Sequence, residues 1–174
     1  MPERTGLRES SLERLRQLPT TREAALYESL ARGSGRCKLC ERLCALLPGE
    51  LGDCRARVNL AGTLHTLAYG NLSAIESRPI EIKPFFHYWP GSTALTFSTW
   101  SCNLDCAWCQ NYSLSKTPPS VGNSTYYSPE QTVEMAVNRQ DEGLCASFQE
   151  PTLLTEWAAD VFRIAHKMGL YCCF

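Results

Sequence analysis

Hydrophobic residues at two different spacings divide the first half of the chain. Between residues 9 and 30, leucines recur at helical spacing and Pro19 interrupts the pattern, so two short helices are predicted. Between residues 60 and 89, Leu64 and Leu67 alternate with polar or small residues and several prolines follow. This second stretch is typical of short strands joined by irregular turns.

A regular alternation of strands and helices is predicted for the second half. Residues 94–99 and 144–148 are short apolar stretches typical of strands, and a third strand begins at residue 170. Residues 128–143 begin with a serine cap and a proline at the first helical position, and end on a glycine. Residues 155–169 predict a further helix whose tryptophan, isoleucine and methionine face inward.

Strands that alternate with helices favour a parallel sheet with right-handed crossover connections. We therefore expect an α/β fold in two parts, with residues 1–92 forming a helical and Cys-rich metal-binding region and residues 93–174 forming parallel strands. Chemistry in such sheets lies at the carboxyl ends of the strands. Because three parallel strands leave a sheet edge unpaired, we also expect the chain to be a truncated form of something longer.

Composition and charge limit the classes of function. The 174 residues are 44% hydrophobic and carry a formal net charge of -1, as in an ordinary soluble globular protein, and they give no electrostatic argument for binding nucleic acid. The first residues lack the apolar segment of a signal peptide, and no later stretch approaches the length of a membrane span. A cytoplasmic protein without a membrane partner is predicted.

Ten cysteines are a high number for such a chain. In a protein without secretory features, abundant cysteines favour metal binding over disulfides. Cys145, Cys172 and Cys173 lie in apolar stretches and are expected in the core. The other seven form two groups: Cys37, Cys40, Cys44 and Cys54, and then Cys102, Cys106 and Cys109.

The two groups suggest two metal sites with different chemistry. Three thiolates at C-x3-C-x2-C spacing can bind three irons of a [4Fe-4S] cluster and leave the fourth iron open, whereas zinc would need another donor, such as His87. The first group supplies four thiolates, enough for a structural zinc or for a second Fe-S cluster, and its spacing leaves both alternatives open. Arg55 and Arg57, beside Cys54, could interact with an anionic thiolate site, but solvated arginines are expected.

The segment CNLDCAWC, residues 102–109, resembles the C-x3-C-x-aromatic-C loop of the radical S-adenosylmethionine (radical SAM) enzymes. Residues 90–115 resemble the cluster loop of the subgroup related to pyruvate formate-lyase activating enzyme, in particular the AmmeMemoRadiSam system radical SAM enzymes. The resemblance extends from about residue 22 to the end. It implies the amino-terminal part of a partial (β/α) barrel, preceded by a small irregular Cys-rich domain.

The resemblance also implies a function. Cys102, Cys106 and Cys109 would ligate a [4Fe-4S] cluster whose fourth iron chelates SAM, and one-electron reduction would cleave SAM to a 5'-deoxyadenosyl radical that abstracts hydrogen from a substrate. The implied partners are a one-electron donor such as flavodoxin or ferredoxin, and an unknown substrate for which a glycyl-radical enzyme is one candidate. The rival hypothesis is a non-catalytic module with two zinc sites.

Three further residues are implied to bind SAM. Trp108 matches an aromatic position that lies against the adenine of SAM. Glu150 matches the acidic residue of the family's Gly-Gly-Glu-type motif, which helps to bind the amino group. Phe148 and Gln149 stand where that motif has its two glycines, and Gln149 is included in the expected SAM site.

Overall fold

The computed structural model describes residues 6–174, which form four α-helices and ten strands. The helices are α1 (Glu9–Arg16), α2 (Tyr112–Ser115), α3 (Pro129–Asn138) and α4 (Thr155–Lys167). The first six strands are β1 (Arg22–Glu23), β2 (Tyr27–Ser29), β3 (Gly35–Cys37), β4 (Ala45–Leu46), β5 (Arg57–Leu60) and β6 (Thr63–Thr66). The remaining strands are β7 (Leu72–Pro79), β8 (Thr93–Thr99), β9 (Gly143–Ala146) and β10 (Tyr171–Cys173). None of the helices in this range is long and apolar enough to cross a membrane.

The strands form three separate sheets. Two of them have three antiparallel strands each, in the orders β1-β6-β5 and β2-β3-β4. The third has four strands in the order β10-β9-β8-β7. In this sheet β8, β9 and β10 run parallel, and β7 pairs with β8 antiparallel.

The predicted partial (β/α) barrel of parallel strands is wrong. Strand β7 pairs with β8 from Leu72 opposite Thr99 to Pro79 opposite Thr93, so the four-stranded sheet is mixed, and the other two sheets are antiparallel. The region before residue 93 was expected to be irregular and separate from the sheet. Strand β7 of this region instead joins the sheet, and its backbone groups form hydrogen bonds with those of β8. This pairing is favoured because an unpaired strand edge is costly when it is buried.

The predicted helices of the second half are confirmed, with one change of boundary. Ser128 accepts a hydrogen bond from the Gln131 backbone N–H, and the Gln131 side chain accepts one from the Ser128 N–H, which completes a capping box. The helix ends at Asn138, and Gly143 begins β9 instead of ending α3. A β-carbon at Gly143 would lie 2.1 Å from a ring carbon of Tyr171, so the close strand packing requires glycine.

Helices α3 and α4 cover one face of the four-stranded sheet. Trp157 is fully buried at their centre and meets the Phe97 ring edge-on, with a centroid distance of 4.9 Å. Its indole N–H donates to the Tyr127 carbonyl at 2.8 Å, so the ring is buried with its polar atom satisfied. Met168, expected to face inward, lies past the end of α4 and is exposed.

The prediction of two helices between residues 9 and 30 is half wrong. Helix α1 forms and buries Leu12 and Leu15 against the β5-β6 sheet. The second predicted helix is replaced by β1 and β2, which pair with β6 and β3. These strands have two and three residues, so partners distant in sequence decide their conformation rather than local periodicity.

A buried ion pair connects the Cys-rich region to α4. Arg57 donates through both terminal nitrogens to the two carboxylate oxygens of Glu156, at 2.6 and 2.8 Å. Their side chains are 2% and 9% exposed, so the expectation that Arg57 is solvated is wrong. Burial by itself would raise the pKa of Glu156, but the hydrogen bonds and charge of Arg57 outweigh it and hold this pKa below its ordinary value.

Candidate functional site

The C-x3-C-x2-C segment forms a loop at the carboxyl end of β8. The strand ends at Thr99, and α2 begins at Tyr112. Between them Cys106 is exposed, whereas Cys102 and Cys109 are half-buried. The Cys109 N–H donates to the Cys106 carbonyl at 3.2 Å, which closes a turn between the last two cysteines. The loop therefore presents one thiol to solvent and holds two against the protein.

Hydrogen bonds already reach two of these sulfurs. The Leu104 N–H donates to Cys102 Sγ at 3.4 Å, and Cys109 Sγ lies 3.5 Å from the Ser115 hydroxyl. Burial raises the pKa of Cys102; the Leu104 N–H opposes this, and the nearby charges of Glu150 and Cys109 raise the pKa further. The metal-free chain thus favours the protonated form of Cys102 more than an exposed cysteine would.

Glu150 comes from the next strand, just after the carboxyl end of β9. Its carboxylate caps the short 3-10 turn at residues 151–154, accepting from the Thr152 N–H at 3.1 Å and from the Thr152 hydroxyl. Strands β8 and β9 are adjacent and parallel, and the Ser147 N–H donates to the Phe97 carbonyl at 2.9 Å. The sheet thus brings Glu150 beside the cysteine loop.

Phe148 and Gln149 have left-handed backbone conformations, with φ of 60° and 51°. Two successive residues in this region are rare for side chains other than glycine, at a cost of about 1–2 kcal/mol each. These are the positions at which the resembling enzymes have glycine. With its amide nitrogen turned toward acceptors, Gln149 donates to the Thr99 carbonyl at 3.2 Å, which ties the ends of β8 and β9 together.

Several large apolar side chains on the cysteine loop and after β9 are exposed. Trp108 is 86% exposed, and Leu104, Tyr112 and Phe148 also have large exposed fractions. An exposed tryptophan is free to stack on a planar ligand, and burial of its ring would stabilise such a complex. Trp108 directly precedes the last cysteine of the loop, and most of its ring is already in solvent.

The four cysteines of the first group line one small cavity. Cys37 ends β3, Cys40 lies in the following turn, Cys44 precedes β4, and Cys54 lies in the turn before β5. The cavity has room for about one water-sized particle, approximately 10 Å³. Burial raises the pKa of the Cys54 thiol to about 11. The hairpin and the second turn thus bring together thiols up to 17 positions apart.

Three hydrogen bonds join the two cysteine groups, a connection that sequence reasoning missed. Each one runs between the backbone of one segment and a side chain of the other, so spacing and residue type carry no signal for it. The bonds are Ser101 Oγ to the Cys54 carbonyl, Arg42 Nε to the Asn103 carbonyl at 2.7 Å, and Arg55 Nη2 to the Lys116 carbonyl at 2.7 Å.

The side chains as they stand do not form a metal site. Across residues 6–174, no group of three or more His, Cys, Asp or Glu side chains is placed to hold a metal ion. His87, considered as a fourth zinc donor, is exposed. A cysteine reaches its sulfur through one torsion, and a step between staggered wells moves the sulfur by about 3 Å. Ligation at either group therefore requires rotations of this kind.

Comparison with known proteins gives one informative relative. "Uncharacterized protein MJ0808" of Methanocaldococcus jannaschii is 35% identical to this chain over 150 residues. The matched region covers 86% of this chain and 45% of that protein, so the chain spans about half the length of its relative. No protein-family model matches the chain. No solved structure matches it.

Proposed function

We propose that this chain carries the [4Fe-4S]-binding and SAM-binding segments of a radical SAM enzyme. The observation that carries the proposal is the meeting of two loops at adjacent strand ends. Cys102, Cys106 and Cys109 follow β8, and Glu150 follows β9, the strand that pairs with β8 in parallel. The radical SAM enzymes that the sequence resembles pair a three-cysteine loop with an acidic residue. Two adjacent parallel strands are enough for this pairing, and a closed barrel is not needed.

The donor set suits a cluster with one open iron. Cys102, Cys106 and Cys109 would hold three irons, and no fourth thiol lies on the same loop. The Leu104 N–H at Cys102 Sγ is the kind of hydrogen bond that stabilises a ligating thiolate. When bound, the cluster supplies the electron for reductive cleavage of SAM to methionine and a 5'-deoxyadenosyl radical.

The chain's own residues bind and orient SAM. The Glu150 carboxylate accepts hydrogen bonds from the SAM amino group, and the exposed Trp108 ring stacks on the adenine. The left-handed pair Phe148 and Gln149 turns the chain immediately before Glu150. The hydrogen bonds from Thr152 orient the Glu150 carboxylate before SAM binds, which lowers the entropic cost of binding.

The proposed setting is the reducing cytoplasm. The ten cysteines are not joined in disulfides, a state that a reducing compartment maintains and that both cysteine groups need for metal binding. Electrons would come from a small carrier such as flavodoxin or ferredoxin, and the substrate would be a protein or small molecule, with a glycyl-radical enzyme as one candidate.

Anaerobic reconstitution tests the proposal. The 174-residue chain, incubated with iron and sulfide, should turn brown and bind about four irons at the loop. Adding SAM should alter the electron paramagnetic resonance spectrum of the reduced cluster, and dithionite with SAM should yield 5'-deoxyadenosine. Cys106→Ala should lose the cluster, and Cys172→Ala, which alters a half-buried cysteine in β10, should retain it.

Two results would overturn the proposal. A colourless protein with zinc at both cysteine groups would favour the rival two-site zinc module. A cluster that forms equally well in Cys106→Ala would show that the loop does not ligate it. If the cluster forms but SAM leaves its spectrum unchanged, the cluster assignment holds and the SAM-binding part of the proposal is wrong.

A further inference from the structure

The first cysteine group has the architecture of a closed site. The Cys37 N–H donates to the Cys44 carbonyl at 2.9 Å, which closes the β3-β4 hairpin around Cys40. The second turn is closed by the Gly52 N–H, which donates to the Arg57 carbonyl at 2.8 Å. Two tight turns that face one cavity, one with three cysteines and one with Cys54, are the usual backbone of a structural zinc site.

The lining of the cavity favours one ion over a cluster. With the thiols in their present rotamers, the side chains leave room for about one water-sized particle. A [4Fe-4S] core contains eight atoms and would displace the side chains that line the cavity, among them Leu39, Leu43 and Leu153. Leu153 belongs to the buried core and is fully inaccessible to solvent, so displacing it would open a cavity there.

Positive charges lie where a tetrathiolate ion needs them. Zinc with four thiolates carries a net charge of -2, and burying that charge requires compensation. Arg42 and Arg57 both line the cavity that the four thiols share. The carboxylates of Glu156 and Asp53 already share these two charges, so the guanidinium groups reduce the cost of burying a tetrathiolate ion and do not cancel it.

We propose that Cys37, Cys40, Cys44 and Cys54 bind one Zn²⁺ as four thiolates, and that this zinc site positions the C-x3-C-x2-C loop. Binding releases one proton from each thiol to solvent and involves no change of oxidation state. Zinc binding stands independently of the proposed function, and only the positioning role rests on it. The positioning follows from three hydrogen bonds of the zinc segment, to Ser101 and Asn103 at the start of that loop and to Lys116 directly after α2.

Metal analysis tests the zinc site. The chain, purified from zinc-containing medium before any iron reconstitution, should contain about one zinc per chain. Growth with cobalt should give the visible absorption bands of tetrahedral Co²⁺ with thiolate charge-transfer bands. Cys44→Ser should lose most of the zinc. Cys145→Ala, at a buried cysteine outside the group, should keep it.

A triple variant separates the two cysteine groups. With Cys102, Cys106 and Cys109 all changed to serine, reconstitution should yield protein with zinc and almost no iron. Iron retained in this variant, as a single ion or as a cluster, would overturn the zinc assignment. Wild-type protein without zinc whose Cys37 group reacts fully with a thiol reagent would also overturn it, and this measurement needs no variant. Absence of iron from the wild type would overturn the proposed function and leave the zinc site intact.

Hydrogen exchange tests the positioning role. Stripping zinc with a mercurial reagent and a chelator should raise amide exchange in residues 100–116 by about tenfold or more, because the hydrogen bonds to this loop lose their support. Helix α3 packs against α4, β8 and β9, and its amide exchange should change little. Equal increases in both segments would show global destabilisation, and no increase at residues 100–116 would show that zinc leaves the loop unaffected; either result contradicts the positioning role.

Discussion

Replacing Glu156 with glutamine tests whether the buried ion pair holds the Cys-rich region on α4. Glutamine preserves the shape of the side chain but removes the negative charge opposite Arg57, which is 2% exposed. The remaining amide oxygen can accept one of the two hydrogen bonds now made at 2.6 and 2.8 Å. The second terminal nitrogen keeps its 3.4 Å hydrogen bond to the Leu153 carbonyl, but the buried positive charge loses the carboxylate that neutralised it.

The size of the effect follows from this geometry. Breaking a buried ion pair by removing one partner costs about 3–5 kcal/mol, and the hydrogen bond that glutamine retains returns about 1 kcal/mol. We therefore expect a loss of about 3 kcal/mol in the free energy of unfolding. In a chain of this length each kcal/mol lowers Tm by about 2–4 °C, so Tm should fall by roughly 6–12 °C.

The pH dependence gives the prediction a second readout. Although burial opposes it, Arg57 holds the pKa of folded Glu156 below its ordinary value. The carboxylate then contributes its full stability above the unfolded pKa of about 4.3 and loses it as pH falls through the lower folded pKa. Thermal unfolding followed by circular dichroism should show a Tm difference between wild type and variant that narrows below about pH 4.

A matched surface pair provides the control. Glu76 is 63% exposed and its carboxylate lies 2.5 Å from Arg78, so Glu76→Gln should leave Tm unchanged within error. The double variant Arg57→Met/Glu156→Leu should regain most of the loss, because neither charge is then buried. A Tm for Glu156→Gln within about 2 °C of wild type would refute the reasoning, since it would mean that Arg57 finds other compensation.

Three other predictions concern packing, capping and thiol access. Gly143→Ala places a β-carbon 2.1 Å from the Tyr171 ring, so the free energy of unfolding in urea should fall by about 3 kcal/mol; a fall below about 1 kcal/mol would contradict this packing. Ser128→Ala removes the cap of α3 and should cost about 1 kcal/mol in the same assay, with the matched surface change Ser113→Ala near zero. In metal-free chain at about pH 7, mass spectrometry should find the exposed Cys106 alkylated much faster than the buried Cys54, whose pKa is raised to about 11; equal rates would contradict the burial.

Local chemistry predicted the elements that depend on it. The serine cap, the proline after it and the glutamine three residues after the cap act within one helical turn, so helix α3 was predictable at its first residue. Its end was not, because Gly143 serves β9 by making room for the Tyr171 ring. That requirement comes from a strand 28 positions away, which no local pattern contains.

The candidate site also has features that the sequence predicted and features that only the structure shows. The two cysteine groups, Trp108 and Glu150 were identified from spacing and from resemblance, since ligand chemistry is written in residue type. The left-handed backbone at Phe148 and Gln149 could not be predicted, because phenylalanine and glutamine rarely adopt this conformation. The hydrogen bonds between the cysteine groups could not be predicted either, because their acceptors are backbone carbonyls, which every residue has.

By itself the sequence determined the capped helix, the buried strands and the clusters of thiols, because these depend on neighbours in the chain. The tertiary structure alone decided that β7 joins β8 antiparallel, that β1 and β2 are strands, and that Arg57 is buried against Glu156. Backbone pairing and desolvation are settled by whichever partners, near or far in sequence, leave the fewest polar groups unsatisfied. Such pairings therefore depend on the whole folded chain and not on any one segment of it.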